Sequence, residues 1–357
     1  MSLERLRIEG FRCIEQAELE LDGRCNLLSG QNASGKTSLL EAIFFLGRGR
    51  SFRTARSDAL IQRGADSFML TGRVRVGGRG QPLGMRVGPG GTEARFAGRP
   101  VSGIAELATV LPVQAIDPEV HRLVEGGPQE RRRYLDWGVF HVEPNFVGDW
   151  RRYQRALRQR NAALRTRQPA AVVKAWDPEL IEAGEHVARQ RAEYLSRLQP
   201  AVASVSERLL GTRVELSLNR GWSAERSLAE AVEASWDRDV ERGLTHAGPH
   251  RADIAVRFEG LLARDRVSRG QQKLAAAALL LGQLKCDAGQ GSSVAALLVD
   301  DPAAELDSDN LERLLTEIDA LPAQLFVTAL DASNEALRLL PAGPRFHVEH
   351  GKVTRLI

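Results

Sequence analysis

The segment Gly30-Gln31-Asn32-Ala33-Ser34-Gly35-Lys36-Thr37 constrains this chain more than any other, because it fits G-x-x-x-x-G-K-[ST] in full. The apolar run Cys25 to Leu28 before it reads as a strand. Leu39, Leu40, Ala42, Ile43 and Phe44 after it read as a helix, so the motif has its strand–loop–helix setting. Glycines let the backbone curl until successive N–H groups point at one phosphate, and the helix that follows adds its positive end. Gly30 to Ser38 thus form a candidate nucleotide loop, with Lys36 reaching the β- and γ-phosphates and Thr37 on Mg²⁺. The alternative is a Gly-rich turn that holds nothing. Only five of the 49 basic residues are lysines, so a chance match is rare.

Such a loop needs a carboxylate at the end of a neighbouring strand. Val294-Ala295-Ala296-Leu297-Leu298-Val299 supplies the strand and Asp300-Asp301 its end. Asp300 is the candidate Mg²⁺ carboxylate. Asp301, one step on, is the candidate for polarising the attacking water. Two turn-forming aspartates before Pro302 are the plainer alternative, which the paired P-loop disfavours.

About 30 residues earlier, Val267-Ser268-Arg269-Gly270-Gln271-Gln272-Lys273 opens a long helix. It resembles the signature motif of ABC ATPases, generally Leu-Ser-Gly-Gly-Gln. A serine and a glycine at a helix start make an anion site. The resemblance implies that Ser268, Gly270 and Gln271 contact the γ-phosphate held by a second copy. An ordinary capped helix, with Ser268 as N-cap, is the alternative. Ala304-Glu305-Leu306-Asp307 resembles the D-loop, which places Asp307 at the same seam.

Elsewhere the pattern organises the chain. Leu6 and Ile8, then Leu19 and Leu21, alternate with polar residues as early strands, and 68–100 reads as short strands with tight turns. From about 118 helical signals dominate: Leu180, Val187 and Tyr194 lead into the stripe Leu195, Leu198, Val202, Val205, Leu209. Strand signals return at Ile254, Val256 and Phe258, and again at Leu325-Phe326-Val327. The expected fold class is therefore α/β. An ATPase domain of residues 1–117 plus 245–357 would be interrupted by a helical lobe at 118–244. Three cysteines without a C-x-x-C pair suggest neither a disulfide frame nor a metal site. The charged N-terminus and the short apolar runs fit a cytoplasmic chain without a signal peptide or a membrane span.

Beyond the ATPase motifs, further runs carry a resemblance over essentially the whole length. They are Leu6-Arg7-Ile8-Glu9-Gly10-Phe11-Arg12, Leu39-Leu40-Glu41-Ala42-Ile43 and Gly49-Arg50-Ser51-Phe52-Arg53. To these are added Gly126-Gly127-Pro128 with Arg131-Arg132-Arg133-Tyr134-Leu135-Asp136-Trp137, and Gly248-Pro249-His250-Arg251-Ala252-Asp253. The chain resembles the RecF family, in the group that includes SMC proteins and Rad50. The resemblance implies an ABC-type P-loop ATPase head that binds ATP and Mg²⁺ and dimerises on ATP. It also implies DNA binding at single-strand gaps in the bacterial cytoplasm. RecO and RecR are the implied partners, with RecA loading, replication restart and SOS induction as the outcome.

Two positions depart from the wider pattern. Ala33 stands where the group often has glycine. Thr328 stands where ABC ATPases usually carry a switch histidine, which points to a slow ATPase, DNA-stimulated if the resemblance holds. Gln114 is either the glutamine that senses Mg²⁺ and γ-phosphate or a polar strand-end residue.

DNA contact has its own local signal. Between 131 and 168 stand ten arginines against Asp136, Glu143 and Asp149. Arg131, Arg132, Arg151, Arg155 and Arg158 are the candidates, the last three on one helix face. Such a stripe suits phosphate contacts without sequence reading; a solvated helix face is the alternative. Trp150 and Tyr153 fit the core better than base stacking, while His250 and Arg251 are open between DNA, nucleotide and core. Other classes fit less well. A transporter motor leaves the insertion and the stripe unexplained, and an SMC-like tether lacks room for its heptads. A nuclease of the overcoming-lysogeny-defect type needs a metal domain after the ATPase, which a chain running to Ile357 is not expected to hold. A nucleotide-gated clamp with negligible turnover stays open.

Overall fold

The structure, a computed structural model, describes residues 1–263, 268–289, 296–304, 306–331 and 335–356. Val267, Val294, Ala295 and Glu305 of the motifs above lie outside the described residues. The chain divides into two compact units, Met1–Val120 with Gly291–Ile357, and His121–Gln290.

The first unit begins with β1 (Ser2–Phe11), β2 (Ile14–Glu20), β3 (Cys25–Ser29) and α1 (Lys36–Arg48). It continues through β4 (Phe68–Val76), β5 (Arg79–Gly88), β6 (Gly91–Phe96), β7 (Arg99–Pro100), α2 (Ile104–Val110) and β8 (Val113–Ile116). The second unit carries α3 (Arg122–Glu125), α4 (Pro128–Val142), α5 (Phe146–Arg165), α6 (Ala170–Lys174), α7 (Asp177–Leu210) and β9 (Val214–Asn219). Then come α8 (Leu228–Ala234), α9 (Trp236–Arg242), β10 (Asp253–Phe258), β11 (Leu261–Leu262) and α10 (Arg269–Gly289). The chain re-enters the first unit with β12 (Ala296–Val299), α11 (Ser308–Asp319), β13 (Gln324–Ala329), β14 (Arg345–Glu349) and β15 (Lys352–Leu356).

The first unit holds two six-stranded sheets. One is antiparallel, in the order β2-β1-β4-β5-β6-β7; the other runs β15-β14-β3-β13-β12-β8 and is parallel through β14, β3, β13, β12 and β8. Period-two alternation accounts for β1, where Leu6 and Ile8 are buried and Arg5 and Arg7 face out. The strands β3, β12 and β13 are buried along their whole length, as continuous apolar runs require. Nearly every residue of α1 is buried, and Leu39, Ile43 and Phe45 share one core with Ile8, Phe68 and Phe326. Phe11, Phe45 and Phe68 meet there edge to face.

The second unit is built on α7, whose 34 residues span about 50 Å at 1.5 Å each. Its expected stripe is real: Leu180, Val187, Tyr194, Leu198, Val202, Val205 and Leu209 are all fully buried. Helix α10 packs along it, and a Cβ at Gly282 would stand 2.8 Å from the Val202 backbone, so only glycine permits that approach. Tyr134 of α4 donates to Leu279 O at 2.8 Å, and Tyr194 of α7 donates to Asp287 at 2.8 Å. These contacts put α10 in the second unit. The compact division therefore falls at 120/121 and 290/291 instead of 117/118 and 244/245. The lobe is not purely helical either. β9, β10 and β11 form a three-stranded antiparallel sheet within it, in the order β11-β10-β9. Val214, Leu216 and Leu218 do alternate, but only Val214 is buried, so the signal in β9 is faint.

Candidate nucleotide site and arginine face

The loop Gly30–Gly35 leaves the end of β3 and enters α1. Gly30 has φ 154°, and a Cβ there would lie 2.2 Å from Val348 O, so the strand β14 leaves room for glycine alone. Gly35, at φ 116°, closes the turn into the helix. Ala33 sits at φ 61°, in the left-handed region that a Cβ disfavours by about 1 kcal/mol. The residue that departs from glycine thus keeps the backbone that glycine favours. The turn after β14 supports the loop, since Gly351 N–H donates to Ser34 O at 2.8 Å. No local sequence signal announces that support, because the two residues are remote in the chain.

Lys36 is buried, with its amine donating to Gly30 O at 2.6 Å and Gln31 O at 3.0 Å. Burial lowers its pKa, opposed by the carboxylates of Asp301 and Asp300. Both carboxylates therefore lie within electrostatic reach of the amine. Thr37 Oγ1 donates to Asp300, at 2.9 Å from one carboxylate oxygen and 3.1 Å from the other. Asp300 is buried and continues β12, its N–H donating to Ile116 O at 2.9 Å. The residues expected to share a metal are thus already in contact. Ser34 Oγ is buried with no hydrogen-bond partner among the described residues. A buried orphan hydroxyl, an amine held only by loop carbonyls and a hydroxyl–carboxylate pair make a donor set that fits a polyphosphate with a divalent cation. Ser38 is buried at the same helix start, where its hydroxyl lies 3.6 Å from Cys13 Sγ.

Thr328 is wholly buried in β13. Its hydroxyl donates to Asp300 Oδ1 at 2.7 Å and accepts the Asp301 N–H at 2.8 Å. Asp301 has φ 44°.

Gln114 is not among these groups. It stands level with Leu297 in the neighbouring strand, and its Oε1 accepts from Arg48 Nη2 at 3.1 Å. Arg48 is the last residue of α1, about 18 Å of helix from Lys36. Gln114 thus lies within β8, beside the Arg48 end of α1.

Three of the remaining runs in this unit converge on one carboxylate. Glu41 is fully buried, and Arg12 Nε and Nη2 donate to it at 2.9 and 2.8 Å. Ser51 Oγ donates to it as well, and Arg53 lies 3.7 Å away. Sequence shows the residues but not that α1 is anchored by them.

In the second unit, Ser268 and Gln271 form a reciprocal cap at the start of α10. Ser268 N–H donates to Gln271 Oε1 at 3.0 Å, and Gln271 N–H to Ser268 Oγ at 3.3 Å. Ser268, Gly270 and Gln271 are all exposed. A Cβ on Gly270 would meet nothing within 4 Å, so no described residue of this chain requires a glycine there. Asp307, back in the first unit, is exposed and caps α11, accepting the Asn310 N–H at 2.9 Å. That bond holds its carboxyl below the usual range.

The arginines separate into two sets. Arg131 is buried and forms a two-pronged pair with Asp253 at 2.8 and 3.0 Å, so it leaves the DNA candidates. Arg132 is half-buried and donates from Nη1 to Ala252 O at 2.7 Å, which anchors it to the run 248–253. Arg191 grips Asp136 at 2.7 and 2.9 Å and Pro249 O at 2.6 Å. The runs 126–137 and 248–253 are therefore a mutual lock within this unit. His250 belongs to it: burial brings its pKa down to about 4. The neutral ring donates from Nε2 to Thr245 O at 3.0 Å and accepts the Tyr153 hydroxyl at Nδ1. Tyr153 is fully buried, Trp150 packs under the Arg191 guanidinium, and Arg251 stays exposed. Arg152 is tied to Glu179 at 2.7 Å and Glu182 at 3.0 Å, and Arg160 is buried against Asp177 and Asp239. Arg151, Arg155, Arg158, Arg165 and Arg167 are exposed, and among the described residues their side chains make no hydrogen bond or close ion pair, although Arg155 lies within electrostatic reach of Glu179. At helical spacing, Arg151, Arg155, Arg158 and Arg165 share one face of α5.

Fold and loop together define a P-loop ATPase head of the ABC type. Residues 2–337 match the family of RecF/RecN/SMC N-terminal domains. The chain is 39% identical to the DNA replication and repair protein RecF of Shewanella piezotolerans, over 99% of each chain. It is 40% identical to that of Thioalkalivibrio sulfidiphilus, over 98% of each. A solved structure described as the recombination mediator protein RecF with ATP, in the RecFOR pathway, superposes with a TM-score of 0.89 at 26% identity, covering 100% of this chain and 98% of that one. The chain belongs to the RecF family of DNA replication and repair proteins. Among the described residues no helix is long and apolar enough to cross a membrane.

Proposed function

We propose that this protein is an ATP-gated DNA clamp of recombinational repair that acts in the cytoplasm. ATP occupies the loop Gly30–Ser38, with Lys36 on its terminal phosphates. Mg²⁺, when bound by Thr37 and Asp300, neutralises charge between the β- and γ-phosphates. Asp301 orients the water that attacks. Ser268, Gly270, Gln271 and Asp307 of a second copy complete the site, so two chains share two nucleotides in a symmetric dimer. The exposed start of α10, at Ser268, Gly270 and Gln271, and the unexplained glycine at 270 support that second chain. Duplex DNA lies on the free arginine face of α5, held through phosphates without sequence preference. The recognition of gaps, and the loading of RecA that leads to restart and SOS induction, come from RecO and RecR.

The observation that carries this reading is the contact of Thr37 with Asp300, which joins loop and strand residues 263 positions apart. Fluorescence anisotropy of a labelled gapped duplex, with and without ATP·Mg²⁺ at fixed salt, tests it. Tight binding only with ATP is expected. Equal binding in both conditions removes the gating step. A clamp with negligible turnover is the second reading. It is favoured by a threonine, already committed to Asp300 and Asp301, where a switch histidine is usual.

A further inference from the structure

The last two residues of β13 touch both halves of the nucleotide site. Ala329 O accepts the N–H of Gly30, the first loop residue, at 3.3 Å. One position earlier, Thr328 faces the other way and binds the aspartate pair. In the sheet β13 lies between β3 and β12, with Thr328 opposite Leu28 on one side and Val327 opposite Val299 on the other. No other element of this unit stands between the loop strand and the aspartate strand.

The Thr328 hydroxyl has one proton, and it goes to Asp300 Oδ1. The oxygen accepts the Asp301 N–H. A buried hydroxyl used in this way is not free to report on a γ-phosphate. It does something else: it ties down the peptide that carries Asp301 into its left-handed turn, at φ 44°. A residue with a Cβ stays in that region only where its surroundings hold it. The Asp301 carboxylate is carried on that backbone, within electrostatic reach of the Lys36 amine.

We infer that Thr328 is a positioning residue for hydrolysis: its hydroxyl sets the direction of the Asp301 carboxylate and the rotamer of Asp300, in place of direct contact with the nucleotide. The inference rests on the proposed ATPase activity and adds a division of labour to it. Lys36 and the loop bind; Asp300 and Asp301 act on metal and water; Thr328 fixes the angle between those two acids. Thr37 and Thr328 hold Asp300 from two sides, so the carboxylate stays aimed at the loop when Thr37 turns to a metal.

The test compares wild type with Thr328→Ser and Thr328→Val in the full chain. Three quantities are read: ATP affinity, the Mg²⁺ concentration that half-saturates ATP binding, and turnover. Serine keeps both bonds and is expected to hold turnover within a few-fold. Valine matches threonine in shape but loses both bonds. Turnover is expected to fall about 100-fold, the order of loss for a misplaced catalytic group. ATP affinity at saturating Mg²⁺ is expected to stay unchanged, while the Mg²⁺ requirement rises. Circular dichroism and melting of both variants separate a folding defect from a positioning one. Unchanged turnover and Mg²⁺ requirement in valine would overturn the inference. So would a loss of ATP affinity, which marks direct contact with nucleotide. If wild type turns over no ATP, the hydrolytic reading fails by itself, and the Mg²⁺ requirement alone decides whether Thr328 orients Asp300.

Discussion

At the scale of single residues, Asp287 is buried near the end of the signature helix, and desolvation pushes its pKa from 3.8 to about 7, partly offset by the Tyr194 hydroxyl. The folded chain therefore keeps a proton that the unfolded chain releases near pH 4. The contribution of this group to stability is greatest below that value and is lost as pH rises toward 7, by an amount on the order of 4 kcal/mol. An asparagine in its place would keep an acceptor for Tyr194 without the charge. The variant Asp287→Asn is expected to melt several degrees above wild type at pH 8 and close to it at pH 4; thermal unfolding at both values shows whether the gap tracks the carboxylate. Gly270 is a different kind of case. A glycine in the first turn of a helix costs roughly 0.5–1 kcal/mol relative to alanine, and no described neighbour of this chain needs it. Gly270→Ala should therefore leave the isolated chain as stable or slightly more so while weakening ATP-dependent dimerisation. A variant that dimerises normally on ATP, followed by light scattering, removes the glycine from the interface.

At the scale of elements, α5 shows how a charged segment divides into structure and surface. Arg160 and Arg152 are bonded to carboxylates; Arg151, Arg155 and Arg158 form no close ion pair among the described residues, Arg155 acting on Glu179 only at longer range. Replacing those three by glutamate is expected to reduce DNA affinity at every sequence tested and to flatten the dependence of log K on log salt by up to about 3 units. Arg152→Gln on the same helix should change neither, which distinguishes phosphate contact from a general loss of positive charge. How far each element is legible in the sequence follows from where its partners lie. The P-loop is readable because loop, lysine and threonine are contiguous, and the Asp pair because a buried strand runs straight into it. Arg131 misleads because its partner Asp253 is 122 positions away, and a count of local charge is blind to such a partner. Gln114 is ambiguous for the same reason: only the sheet register shows it at the Arg48 end of α1. β9 escapes notice because a strand with one buried residue has almost no period to detect.

At the scale of the whole molecule, the proposed dimer is open to test through Asp301. Asp301→Asn keeps the size and most hydrogen-bonding capacity of the side chain but removes the charge proposed to activate water. The variant is expected to bind ATP, to form the dimer and to hold it longer than wild type, with turnover reduced by at least about 100-fold. A dimer that decays at the wild-type rate in size-exclusion runs with ATP would separate opening from hydrolysis. The boundaries of the inserted unit are the least legible feature at this scale, because α10 carries an ATPase motif yet packs on α7. Motif membership and packing are independent properties of a helix.

The order of strands in the parallel sheet has a consequence for how the protein is made. The strand that feeds the P-loop, β3, is synthesised among the first thirty residues, yet both its neighbours, β13 and β14, come after residue 320. On a ribosome adding roughly 5–20 residues per second, that gap lasts about 15 seconds to a minute. The inserted unit, 121–290, is complete within it, as is the antiparallel sheet of β1, β2 and β4 to β7. Through that interval the apolar strand Cys25–Ser29 has no partner on either side, and a loop whose first N–H needs Ala329 O has nothing to hold its shape. A nascent chain thus lacks both sheet neighbours of its loop strand until the segment bearing its own aspartates has emerged. Vectorial synthesis and sheet order together leave the loop among the last parts of the first unit to be completed.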